Sequence, residues 1–180
     1  MIYCKRCCLY AVLTTWMTVG RTWGADMIRL ATEKDAEQLL LLNEAFNGKG
    51  LTTPDDIKQS LSQNPREVMV VAEEGETVAG FVCVQIKRSF CYQDDFAEIT
   101  EVFVAPEYRR RKLAGKMLAY AEEYCMRQYQ IHEFALLTGR DNHAAQALYR
   151  SRGYREEDEM FMTKIVPLFL SKKSVIYRQN

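Results

Sequence analysis

Two apolar runs, residues 66–74 (REVMVVAEE) and 77–88 (TVAGFVCVQIKR), are separated only by a short acidic link around Gly75. A connection that short between strand-type runs is a hairpin signal, so the middle of this chain builds an antiparallel pair. Everything else must be arranged around that pair. Upstream, residues 27–31 (MIRLA) read as a strand. Thr32 then fits a helix N-cap with Asp35 three residues on, opening a helix to about Phe46. Residues 47–50 (NGKG) are a loop. Thr53, with Pro54 at the first helical position, caps a second helix to about Gln63.

Downstream, residues 96–105 (FAEITEVFVA) predict another strand. A helix from about Arg110 carries Leu113, Met117, Ala121 and Cys125 at four-residue spacing with Leu118 beside them, a stripe suited to packing on a sheet. Residues 133–138 (EFALLT) read as a buried-type strand, DNHAAQALYRSRGY as a short helix ended by Gly153, and residues 156–165 (EEDEMFMTKI) as a final strand. The order is β-α-α-β-β-β-α-β-α-β, one α/β domain over residues 27–165 with no internal repeat. A chain of 180 residues suits a single core of that kind. Residues 166–180 form an appendix.

Residues 1–26 stand apart. Lys5 and Arg6 precede an apolar stretch from Cys7 to Gly20, which is short for a bilayer span. The layout is like that of a signal peptide but has a poor cleavage site, and residues 27 onward look like a complete domain opening. The favoured expectation is a peripheral extension with translation starting at Met27, and a cytoplasmic protein. The CKRCC run has no second Cys or His pair at zinc spacing, so no metal site is expected.

Lys plus Arg and Asp plus Glu number 24 each, so no global field recruits nucleic acid or membrane. Any basic site is local. It stands in VFVAPEYRRRKLAGKML, where Arg109, Arg110, Arg111 and Lys112 arrive together as a strand hands over to a helix. A helix start has unpaired N–H groups and a positive end, so it seats anions. Cations there oppose the macrodipole, and an anionic ligand such as a pyrophosphate would offset them. Nucleic acid is the weaker reading, because the run is short and lacks interleaved aromatics for base stacking.

The same residues resemble a family. VAPEYRRRKLA is similar to the V-x-P-x-Y-R-x-x-G-x-G/A signature of the GNAT acyl-CoA-dependent N-acetyltransferases, through Val104, Pro106, Tyr108, Arg109 and Ala114. NHAAQALYRSRGY matches a second signature of that superfamily through Asn142, Ala145, Leu148, Tyr149, Gly153 and Tyr154. Lys112 stands where the first signature has its central glycine. The resemblance implies a mixed, mostly antiparallel sheet flanked by helices, and acetyl-CoA as co-substrate with no metal. It places Arg109, Arg110, Arg111, Lys112, Leu113, Ala114 and Gly115 at the coenzyme pyrophosphate. Backbone groups of Val102, Phe103 and Val104 would pair with the pantetheine arm like an added strand. Asn142 would contact that arm or shape the cleft, and Tyr149 would stand near the thioester sulfur as proton donor to the leaving thiolate.

For the base, Ile99, Glu101 and Phe103 alternate onto one face of their strand, and a carboxylate between apolar neighbours tends toward a raised pKa. The resemblance also places Glu101 where many family members carry a catalytic or water-holding glutamate. Glu98 and Asp95 are rivals. His132 reads as a turn residue and His143 as an exposed one. The expected reaction is acetylation of a primary amine, with a small cationic acceptor such as an aminoglycoside or polyamine drawn by the acidic residues 92–101. The ending LYRSRGYREEDEMF is also somewhat similar to aminoglycoside acetyltransferases. The alternatives are a non-catalytic acyl-CoA-binding protein, motivated by Lys112, and an enzyme acting on a protein N-terminus or lysine. Dimers are common in such families, so a homodimer is a further expectation.

Overall fold

A computed structural model of the chain describes residues 21–23, 26–158 and 160–164. Its frame is a sheet of six strands in sequence order: β1 (Arg21–Trp23), β2 (Asp26–Leu30), β3 (Glu67–Glu74), β4 (Thr77–Lys87), β5 (Phe96–Val104) and β6 (Phe134–Leu136). Neighbours pair antiparallel from β1 to β5, and the β3–β4 hairpin turns at Gly75, whose φ of 64° suits glycine. Among the described residues β5 and β6 are the one parallel pair, and parallel strands need a crossover connection, supplied here by α3. The strand β1 comes from the segment assigned to the extension, and it forms one edge of the sheet.

Helices α1 (Ala36–Asn47) and α2 (Pro54–Gln63) cover one face, and α3 (Leu113–Tyr129) and α4 (His143–Ser151) the other. Local sequence explains where they begin. The Asp35 carboxylate accepts the Thr32 backbone N–H at 2.7 Å, and a 3-10 turn leads into α1. Thr53 and Asp56 exchange side-chain-to-backbone hydrogen bonds around Pro54 to start α2. The α3 stripe of Leu113, Met117, Leu118, Ala121 and Cys125 is buried against Val70, Val82 and Val84. Each large side chain so placed contributes about 1.5–3 kcal/mol. Burial pushes the Cys125 thiol up to about 12, as expected of a structural cysteine.

Four expectations need correction. The helix carrying the cations starts at Leu113 rather than Arg110, because Arg110 and Lys112 both take left-handed backbone conformations that a helix cannot include. The strand expected over residues 156–165 is not formed among the described residues. That stretch opens on consecutive acidic side chains, and Met160, Phe161 and Met162 are exposed. With no neighbour beyond it among the described residues, β6 is a half-exposed edge of three residues rather than a buried strand. Last, a β-bulge at Thr100 breaks the alternation in β5. Cys83 and Val84, adjacent on β4, face Glu101 and Ile99, which are not adjacent. Ile99 therefore joins the α3-side core while Phe103 joins the α1-side core, and Glu101 follows Phe103.

Candidate active site

The bulge and the short β6 together leave part of β5 open. Register with β6 ends at Ile99↔Leu136, so from Thr100 to Val104 one side of β5 has no strand beside it among the described residues. The Ala105 N–H donates to the Ala79 carbonyl at 2.9 Å on the β4 side. Alternate residues turn their backbone groups opposite ways, so Val102 and Val104 present theirs to the open side and Phe103 presents its own to β4. Phe103 differs from its two neighbours: its ring packs on Phe46 and Phe81, and its backbone faces β4. Gly80 makes the arrangement possible, since a Cβ there would lie 2.5 Å from the Phe103 carbonyl.

The open edge runs into the cationic turn. Arg109 Nε donates to the Val104 carbonyl at 3.0 Å, which ties the turn to the end of β5. Arg111 pairs with Glu74 at 2.5 Å and lies over the Tyr108 ring, so it anchors the turn to the β3–β4 hairpin. Arg110 and Lys112 form no ion pair among the described residues. Lys112 is the N-cap of α3 with φ 62° and makes no side-chain cap. The first helical bond is Lys116 N–H to Lys112 carbonyl at 3.1 Å, which leaves the N–H groups of Leu113, Ala114 and Gly115 without helical partners. Two free cations and three free amides at one helix start are chemically suited to a polyanion such as a pyrophosphate.

On the same side of the sheet, Asn142 caps α4 by accepting the Ala145 N–H at 3.2 Å. Tyr149 rides on that helix, packed half-buried on the α3-side core and edge-on to Tyr154 with centroids 5.9 Å apart. Burial raises the Tyr149 hydroxyl above its ordinary value of 10, so it keeps its proton. A clamp at the end of α4 holds this position. Arg152 pairs with Glu122 of α3 and donates to the Gly115 carbonyl at 3.1 Å, and Tyr154 donates to Glu122 at 2.9 Å. The clamp escapes sequence reading because its members meet only when α4 folds back along α3.

Glu101 lies on the opposite face. It lines a cavity of about 290 Å3 between α1, α2 and the sheet, with Asp56, Glu67, Cys83 and apolar walls including Leu39, Leu61 and Phe81. Its rivals are engaged elsewhere: Asp95 with Arg66 and Arg88, each at 3.3 Å, and Glu98 with Lys87. The acidity facing the cavity therefore comes from Asp56, Glu67 and Glu101, and only Glu101 belongs to residues 92–101. His132 and His143 are both exposed. Among the described residues no cluster of His, Cys, Asp and Glu could hold a metal, and no helix is long and apolar enough to cross a membrane.

Comparison with known proteins bears on this arrangement. The profile of the acetyltransferase (GNAT) family matches residues 36–154. The chain is 32% identical over 102 residues to an uncharacterized N-acetyltransferase of Archaeoglobus fulgidus, a match covering 56% of this chain and 68% of that protein. Its fold is similar to the aminoglycoside acetyltransferase AAC(6')-Iy bound to the bisubstrate analogue CoA-S-monomethyl-acetylneamine, with TM-score 0.70 and 19% identity over 79% of this chain and all of that one. It is also similar to a ribosomal-protein-alanine N-acetyltransferase of Brucella melitensis, with TM-score 0.65 and 14% identity over 78% of this chain and 100% of that chain.

Proposed function

The chain belongs to the acetyltransferase (GNAT) family and is an N-acetyltransferase, and on that premise we propose that it acetylates a primary amine of a small cationic molecule, using acetyl-CoA. The observation that carries this reading is the unpaired side of β5 leading directly into the cationic turn and the free amides of α3. A pantetheine arm fits beside Val102 and Val104, and a pyrophosphate fits the amides of residues 113–115 with Arg110 and Lys112 at hand. Arg109 and Arg111 hold the turn in shape. Asn142 acts through α4, which it caps, and so positions Tyr149.

Acetyl-CoA supplies the acetyl group as a thioester. Glu101 takes the proton from the acceptor ammonium so that the amine can attack. The new C–N bond forms as the C–S bond breaks, and Tyr149, protonated at neutral pH, gives its proton to the leaving sulfur and recovers one from the nitrogen of the nascent amide. The carboxylates at the cavity and the absence of any cation among its lining residues favour a positively charged acceptor over a neutral peptide amine.

Lys112 already holds the left-handed backbone that a glycine would adopt, which supports a working coenzyme loop over a non-catalytic binding protein. Calorimetric titration of the full chain with acetyl-CoA is the test. The expected result is micromolar binding, about −8 kcal/mol, followed by coenzyme A release when an amine is added. A chain that bound no acetyl-CoA would sink the proposal. Binding without release toward any amine would favour the pseudo-enzyme.

A further inference from the structure

We propose that the cavity under α1 and α2 takes a linear aliphatic diamine, the reacting amine at Glu101 and the distal ammonium at Glu67, an assignment that rests on the acetyl-transfer reading above. Glu67 begins β3 and was not legible as a site residue, yet it is the most elaborately held carboxylate in the cavity. It accepts from Gln85 Nε2 at 2.6 Å, from Cys83 Sγ at 3.4 Å and from the Ser60 hydroxyl. All three donors are neutral. Neither Glu67 nor Glu101 has an ion-pair partner among the described residues, and no Lys, Arg or His lines the cavity. Half-buried Glu67 and Glu101, with exposed Asp56, put three carboxylates on a cavity that has no cation among its lining residues, which favours a ligand that brings positive charge.

The sheet sets their separation. Cys83 is paired with both Met69 and Glu101, and Gln85 with Glu67, so Glu67 lies two strands over and two residues along from Glu101. Ordinary strand spacing and rise put their Cα atoms about 12 Å apart. Between them on the sheet stand Met69 and the Cys83 thiol, which donates to Glu67, and the facing walls are hydrocarbon from Leu39, Ile57, Leu61 and Phe81. Two cationic ends joined by methylenes match that layout. At about 290 Å3 the cavity sits at the lower limit of the roughly 300–1,000 Å3 typical of drug-sized ligands, which suits a narrow chain better than a multi-ring aminoglycoside.

The test uses putrescine, butylamine and sisomicin as probes on the full chain. Each is titrated calorimetrically without coenzyme, and each is then offered as acceptor with acetyl-CoA. Putrescine is expected to bind roughly tenfold more tightly than butylamine, with the advantage shrinking as salt rises. Glu67→Gln removes the charge while keeping a similar shape, and should reduce the putrescine-to-butylamine ratio of kcat/KM about tenfold. Equal binding of putrescine and butylamine to the wild type overturns the assignment whether or not the variant folds, and so does preferential use of sisomicin. Equal transfer to putrescine and butylamine also overturns it while leaving acetyl transfer intact. Selective putrescine binding with no transfer to any amine upholds the cavity assignment and removes the enzyme reading instead.

Discussion

Lys112 shows how one residue can be seen in the sequence while its reason stays hidden. The motif comparison marks it as a missing glycine and suggests that the glycine exists to let backbone approach a ligand. The structure gives another reason: φ is 62°, and Arg110 two residues earlier has φ 63°. Left-handed backbone at a non-glycine residue costs about 1–2 kcal/mol, and no periodicity reports it. Tyr149 is the reverse case, legible only through its motif, since by spacing alone it is an aromatic on a short helix. Its burial supplies a prediction. The raised pKa keeps the hydroxyl protonated up to and beyond its ordinary value of 10, so kcat should hold as pH rises to that point and fall above it. Tyr149→Phe should lower kcat roughly 100- to 1,000-fold and abolish the alkaline fall, read from a pH–rate profile. A variant with wild-type kcat would leave Tyr149 a packing residue.

Strands and helices were largely legible from apolar spacing, because each buries one face or stripe. The bulge in β5 was not, because it is a mismatch between two strands and no single run of residues records it. Its effect is large: Glu101 faces the cavity under α1 and α2, and Ile99 the core under α3. The final strand, not formed among the described residues, has a similar origin, since a strand needs a partner and the pattern in residues 156–165 cannot tell whether one is within reach. Gly80 supplies the test at this scale. An added Cβ would meet Phe103 and Val104 backbone atoms at 2.5 and 3.0 Å, contacts that no side-chain movement relieves. Gly80→Ala should therefore cost about 1–3 kcal/mol in denaturant unfolding and weaken acetyl-CoA binding at the displaced edge. Unchanged affinity in a folded variant would mean that the open side of β5 does not carry the coenzyme.

At the scale of the whole molecule, the sheet separates two compartments. Tyr149, the cationic turn and α3 lie on one side, and Glu101 with its cavity on the other. They meet only where β5 runs on without β6 beside it. On the proposed reading the two reactants therefore approach from opposite faces, and neither blocks the other. A turnover that needed the coenzyme to depart before the amine arrived would have no use for such a layout. Initial-rate lines at several fixed amine concentrations should intersect rather than run parallel, and free coenzyme A should compete with acetyl-CoA but not with the amine. Parallel lines would mean that the acetyl group rests on the protein between two visits, and that the gap beside β5 serves one guest at a time.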